Sequence, residues 1–515
     1  MGAGSQINSG TTNWGEGGNI NIQATNTISM SGTLSDGRPV GVFSRTVGTD
    51  PGSGKGGNIE LHASQLQVTN GAQISANSSG TGNAGNVNLQ GPASPAQSII
   101  IDGAGTGVFT DTHGTGAGGN IFLNANTVTV QNGGTVSAAT FGTSSSATGG
   151  TITVNAGQVA LSSQAVITAD TNGIAPAGTV DINTGSLAIN SGGQIRSSRG
   201  PEHPLVRAFT AAPTLTGGTI TIDGRTGTGS QADSVTIDGA GSGIFTQSTG
   251  NRPGGDINIL TSGSVNLTNG ATISASSTGT GNAGNIQIDA GNQLAMTNSK
   301  VTTEANQSGG GTIKITTTPS GTVQLTDSTI SASVLDGAGG GGSVNIDPQY
   351  VVLQNSQILA QAVQGPGGNI SITTNLLLPD STSLISASSQ FGQQGTIIIQ
   401  SPISPASGKI VPLGQKPLLA TTLLSQRCAA LAGGNASSFT VAGRDSLPVE
   451  PGGWLSSPLA LTTAELVGST VTEPDTSSSL RESAQEMPIL SLRRIAPPGF
   501  LTQSFAMDSS GGCTS

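Results

Sequence analysis

A four-residue phrase returns thirteen times along this chain and limits what it can fold into. Two small residues come first, then a small polar one, then Ile or Val. It reads Gly-Gly-Asn-Ile at Gly17–Ile20, Gly56–Ile59, Gly118–Ile121 and Gly367–Ile370. Variants stand at Ala84–Val87, Gly149–Ile152, Ala177–Val180, Gly217–Ile220, Gly254–Ile257, Ala283–Ile286, Gly310–Ile313, Gly341–Val344 and Gln394–Ile397. With the second small residue as anchor, from Gly18 to Gly395, the returns lie about 31 residues apart, one supersecondary unit each. Intervals such as Gly255 to Gly284 are the bare unit, and longer ones carry insertions.

Within a unit the apolar residues alternate with period two. After Gly57 they are Ile59 and Leu61, then Leu66 and Val68, then Ile74 and Ala76. After Gly255 they are Ile257 and Ile259, Val265 and Leu267, then Ile273 and Ala275. Such alternation, broken by Asn-Gly or Gly-Gly, marks short half-buried strands. Three strands per unit, each ended by a turn, wind one coil of a parallel β-solenoid whose inward faces stack coil on coil. A hairpin meander, with Asn70-Gly71 and Asn269-Gly270 as turns, is the competing fold. Repetition of the whole three-strand unit favours coiling. The expectation is an all-β, single-stranded parallel β-helix of about 13 coils.

The position after the anchor is Asn at Asn19, Asn58, Asn86, Asn120, Asn285 and Asn369, and Thr, Asp or Ser elsewhere. A side-chain amide both donates and accepts, so stacked Asn residues predict an amide ladder. A larger duplication is also visible. Asp36, Asp102 and Asp238 each precede Gly and stand at the same spacing before Phe43, Phe109 and Phe245. Asp102 and Asp238 read as Asx-turn formers.

Composition narrows the function classes. The net charge is −10 with only 17 Lys plus Arg, and one Tyr and two Trp are present, so a nucleic-acid partner is not expected. No apolar run is long enough for a membrane helix, so no membrane insertion is expected. No signal-peptide pattern precedes Gly18, and an open first coil would expose strand edges. We therefore expect either the C-terminal part of a longer protein or a misassigned start.

Near Ser401 prolines break the alternation, at Pro402, Pro405, Pro412 and Pro417. Leu418 to Leu431 reads as a short amphipathic helix and Phe439 to Ala442 as a strand, together a cap on the last coil. The expected organisation is a β-helix over 1–400, a cap over 401–455 and a flexible Ser/Thr/Pro-rich tail over 456–515. The two cysteines, Cys428 and Cys513, lie outside the repeats. A disulfide in an oxidising compartment and two free thiols are both compatible with the sequence.

Two stretches carry a family resemblance: Asn345 to Ile358 (NIDPQYVVLQNSQI) with Gly367–Ile370, and Leu424 to Ala429 (LSQRCA) with Ser438 to Arg444 and Leu447-Pro448. Together they resemble the C-terminal part of cyanobacterial filamentous-haemagglutinin-like exoproteins of the two-partner secretion system. The resemblance implies a right-handed β-helix exported through an outer-membrane β-barrel transporter to the cell surface or the medium. It also implies an adhesin-like role, and a C-terminal cysteine pair that in some relatives anchors the protein to its transporter. The family's signal peptide and N-terminal secretion domain have no counterpart in this sequence.

Motifs for chemistry are weak. Gly-x-Gly-x-x-Gly occurs at Gly52/54/57, Gly80/82/85, Gly114/116/119 and Gly279/281/284, but each copy leads into alternating strand rather than the helix a pyrophosphate needs. Gly48 to Lys55 lacks the P-loop's first Gly, where Thr49 stands, and the hydroxyl after the Lys, where Gly56 stands. His62, His113 and His203 share no metal-ligand spacing, so no metal or cofactor is expected. Carboxylates converging on a groove would mark a polysaccharide-cleaving enzyme, and Asp102 and Asp238 lie too far apart along the array. The densest charge cluster, Arg199, Glu202, His203 and Arg207, reads either as a solvated insertion or as a recognition loop. The resulting expectation is a non-enzymatic rod that attaches to surface glycans or cells by avidity over repeated faces. A polysaccharide-degrading enzyme and a purely structural sheath protein are the alternatives.

Overall fold

Parallel pairing dominates the computed structural model, which describes residues 5–49, 52–142, 144, 147–172, 175–200 and 217–402. Among these residues every element is a β-strand, and every pairing between strands is parallel. The one antiparallel contact is a single bridge between Thr33 and Pro39. The hairpin alternative falls, and the β-solenoid stands. The chain divides into two units, Met1–Gln415 and Lys416–Ser515. The expected cap, helix and tail over 403–515, with Cys428 and Cys513, lie outside the described residues, as do Glu202, His203 and Arg207.

Each coil contributes a first strand at the repeated phrase, a second strand, and a three-residue third strand. The second coil shows the pattern as Ile59–His62, Gln65–Thr69 and Gln73–Ser75. About 12 turns are complete. The thirteenth phrase opens one further first strand, Thr396–Gln400. Third strands form one 13-stranded parallel sheet. In four coils the first and second strands run on without a turn, as Ile121–Gln131, Thr151–Ser162, Thr179–Asn190 and Asp256–Thr268. There two adjacent outward residues, such as Gly157 and Gln158, carry the chain round the corner and keep Ala156 and Val159 inside.

The core is made of columns one residue wide. Ile59, Val87, Ile121, Ile152, Val180, Ile220 and Ile257 stack in register in successive coils, all buried. Burying a side chain of that size contributes about 1.5–3 kcal/mol, and each coil adds several. Asn70 and Asn269, with φ of 55° and 56°, turn the chain between second and third strands. Asn and Gly tolerate this left-handed region, so the Asn-Gly pairs serve as corners rather than hairpins.

The anchor glycines have a different cause. Gly85, Gly119, Gly150, Gly178, Gly218, Gly255, Gly284 and Gly311 each sit against the carbonyl oxygen of the anchor in the preceding coil, where a Cβ would overlap it. None of them has a positive φ. Each anchor amide also closes its own coil: Gly119 N donates to the Thr110 carbonyl at 2.9 Å, and Gly255 N to Thr246 at 2.8 Å. Between these closures a loop leaves the coil and stacks on its neighbours through bridges such as Thr112 to Thr140 and Thr140 to Thr171. The Gly-x-Gly-x-x-Gly copies belong to these stacked loops. Gly114, Gly116 and Gly119 abut Gly80, Gly82 and Gly85, leaving no room for side chains.

The apparent triplication separates on the structure. Asp102 and Asp238 end equivalent second strands, Ala96–Asp102 and Ala232–Asp238. They do not form Asx turns but hold the next coil's corner: Asn132 Nδ2 donates to Asp102 at 2.7 Å and Asn269 Nδ2 to Asp238 at 2.6 Å. Asp36 lies in an insertion, because Ser31 is the residue in register with Thr69 and hence with Asp102. It makes the turn expected of Asp102 and Asp238, accepting the Arg38 amide at 3.0 Å.

Replacing Gly311 by Ala is expected to cost about 1–3 kcal/mol, because a methyl group must displace the Gly284 carbonyl. Gly309→Ala, whose nearest neighbour would lie at an ordinary 3.5 Å, is expected to stay within about 0.5 kcal/mol. Urea unfolding midpoints of the two variants check the contrast.

Candidate interaction surface

The polar position after each anchor faces solvent, and its chemistry differs from an amide ladder. Asn19 Oδ1 accepts the backbone amide of Asn58 at 2.9 Å, Asn58 Oδ1 that of Asn86 at 2.9 Å, and Asn86 Oδ1 that of Asn120 at 2.8 Å. Asn120 serves Thr151 and Asn285 serves Thr312 in the same way. From Asn19 to Asn120 the side-chain oxygens thus bond to main chain rather than to one another, whereas Asn285 Nδ2 also donates to Asp256 of the preceding coil at 2.9 Å. Where Thr or Ser precedes, the anchor carbonyl takes over, as Gly150 does for Thr179 at 3.2 Å. Asn369 departs from the rule: the Thr396 amide donates to Gly368 instead. These residues stitch coils together through their side-chain oxygens.

The expected recognition loop is also revised. Arg199 is 2% exposed and donates from Nη1 to the Ala175 carbonyl at 2.8 Å. It stands in the bridge column of the stacked loops, between Thr171 and Ser248, so it is not a solvent-facing recognition residue. Nearby, Arg196 pairs with Asp170 at 2.6 Å. Spacing along the chain made Arg199 look like part of a loop. Stacking places it inside.

A crease of polar side chains runs beside the third strands. Asp111 is buried there and accepts the Ser137 hydroxyl at 2.5 Å and the Ala139 amide at 2.8 Å. Burial pushes its carboxyl above the ordinary range, and those two hydrogen bonds oppose the shift. Farther along, Ser331 donates to Glu304 at 2.5 Å, and Gln361 Nε2 to Ser386 at 2.9 Å. Most of this crease is satisfied internally. His113 stacks on Phe141 with centroids 4.8 Å apart, and His62 lies 3.9 Å from Glu60. No group of His, Cys, Asp or Glu that could hold a metal exists among the described residues.

The first-strand face carries what sequence reasoning missed. Its outward row runs Asp181, Thr221, Asn258, Gln287, Lys314 and Asn345 in successive coils. Asp223 ends the strand Thr219–Asp223, diagonal to Asp181 on the adjacent strand, and is 5% exposed. An insertion, Gly224 to Gln231, folds over it with Gly224 N bonded to the Ser230 carbonyl at 3.0 Å. The result is a recess of about 270 Å³ lined by Thr221, Asp223, Thr228, Gly229, Asn258, Ile259, Leu260 and Gln287. Burial raises both carboxyls, and the Asp223 charge raises Asp181 further. The two residues are far apart in sequence, and only the coil pitch makes them neighbours. The available signal was the outward parity of both Asp residues in consecutive repeats.

The fold defines a repeat protein of the parallel β-solenoid class. The chain matches no family model, no curated protein and no solved structure. No helix among the described residues is long and apolar enough to cross a membrane.

Asn86→Ala is expected to lower stability by about 1 kcal/mol by stranding the Asn120 amide, whereas Asn369→Ala is expected to be near neutral. Denaturant unfolding of the two variants separates them. A second expectation concerns pH. The raised Asp111 carboxyl holds its proton more tightly folded than unfolded, so its contribution is full below the ordinary aspartate value of 3.8. That contribution is lost as pH rises through the folded value. Asp111→Asn should flatten this part of the stability–pH curve and raise the unfolding temperature near neutral pH.

Proposed function

We propose that this chain is the rod of an adhesin-like exoprotein of the filamentous-haemagglutinin type, exported through a two-partner outer-membrane β-barrel transporter and displayed at the cell surface or released. Attachment to glycans or neighbouring cells proceeds by avidity over repeated coil faces. The observation that carries this reading is the outward row from Asp181 to Asn345, which offers a hydroxyl, amide or charged group at each coil along one continuous face. Polar groups spaced at the strand separation of about 4.8 Å suit an extended, hydroxyl-rich chain lying along the coil axis. The sequence segments Asn345 to Ile358 and Leu424 to Ala429 support the export route by resemblance.

A second reading, cleavage of polysaccharides, is favoured by the neighbouring carboxyls of Asp181 and Asp223. Release of reducing ends from acidic polysaccharides, lost in Asp223→Asn, would support it.

The adhesive reading is tested by retention of the labelled full chain on glycan-coated surfaces and on cells. Deleting one whole coil, residues 285–311, preserves the stacking register and should weaken retention only several-fold, as expected for many weak contacts. Complete loss from that deletion would place recognition in one site. Absence of retention on every surface would overturn the adhesive role.

A further inference from the structure

Asp223 lines a recess in which no counter-charge pairs with it among the described residues. Its carboxylate lines the cavity while being 5% exposed, and its one close polar partner is the Gly229 amide. Neither Asp223 nor Asp181 takes part in an ion pair among the described residues. Charge withdrawn from water is costly unless it is paired or holds a proton, so this arrangement favours a positively charged occupant. Among the described residues the charged groups around it are few. Arg225 of the insertion reaches over Gly157, and Asp233 lies over Gly185, both toward the second strands. Asp256 and Asp289 lie on the following coils, and Lys314 stands in the outward row two coils beyond Asn258. The nearest ordered cations are therefore directed elsewhere.

The remaining lining decides the class of ligand. Thr221, Thr228, Asn258 and Gln287 present hydroxyls and amides, which match sugar hydroxyls. First strands are paired on both sides here, so a peptide cannot add as another strand. We propose that Asp223 and Asp181 form a subsite for the protonated amine of an amino-sugar in a glycan laid along the first-strand face, with Thr221, Asn258 and Gln287 holding its hydroxyls. The assignment rests on the glycan-binding reading above and names its preferred ligand. Loss of the carboxylate charge in acid releases the amine, so binding weakens as pH falls.

The test compares a β-1,4-linked glucosamine oligosaccharide with its fully N-acetylated form of equal length, titrated into the full chain at mildly acidic pH, where the sugar amines carry their protons. The amine form should bind about ten- to hundred-fold tighter, the contribution of a charge-assisted contact. Asp223→Asn and Asp181→Asn should each reduce that preference at least several-fold. Unaltered circular dichroism and unfolding temperature in both variants would exclude a folding defect. Equal affinity for the two forms, or a preference that survives Asp223→Asn, would overturn the subsite and leave the adhesive rod standing. A lysine oligopeptide competing with equal affinity would assign the recess to basic peptides and overturn the proposal. No binding of any glycan would sink both readings.

Discussion

Close contact between the anchor glycines of adjacent coils is the constraint on which the rest depends. Each anchor lies against the carbonyl of the one before it, and its own amide closes the coil that it ends. A side chain at this point would push coils apart at one corner and spoil parallel registry on all three faces. Stacked strands tolerate little such misfit, because ladder bonds and core columns share the same spacing. The glycines therefore act through steric absence rather than conformational freedom. Genuine left-handed corners lie elsewhere, at Asn70, Asn132 and Asn269.

With registry established, side-chain direction follows parity. Inward positions become columns of Ile, Val and Leu, and outward positions become rows whose chemistry is free to vary from coil to coil. Two rows are used for structure. The Asn19 to Asn120 series gives its side-chain oxygens to main-chain amides, and the crease beside the third strands satisfies itself through Ser, Thr, Gln and acidic groups. The row from Asp181 to Asn345 keeps its groups toward solvent, and the insertion after Asp223 gives that row its recess. The same pitch that stacks Ile182 on Ile222 brings Asp223 near enough for its charge to oppose ionisation of Asp181.

Sequence reasoning succeeded where a property repeats and erred where a single residue departs from the repeat. The thirteen phrases and the period-two alternation led directly to the solenoid, whereas the Asn-Gly pairs also admitted hairpins. Asn369 looks like Asn86 in sequence, yet Thr396 donates to Gly368, a choice made by local backbone geometry in the last coils. Arg199 was read as exposed because charge normally faces water. Its place in the bridge column buries it, with its guanidinium on the Ala175 carbonyl. Asp36 matched Asp102 in spacing to Phe but not in register, since an insertion of the right length imitates an equivalent position.

Periodicity along the chain thus sets strand type, parallel stacking and which residues line the core, because these depend on local alternation and on a unit that repeats. Tertiary structure alone decided which residues of different coils become neighbours. Asp181 and Asp223 stand more than a full repeat apart in the chain, and their meeting depends on coil length, loop insertions and outward parity together. A repeat motif records the average coil. The candidate site arises from the coil that differs, where an insertion covers one acidic side chain and leaves its charge facing a recess.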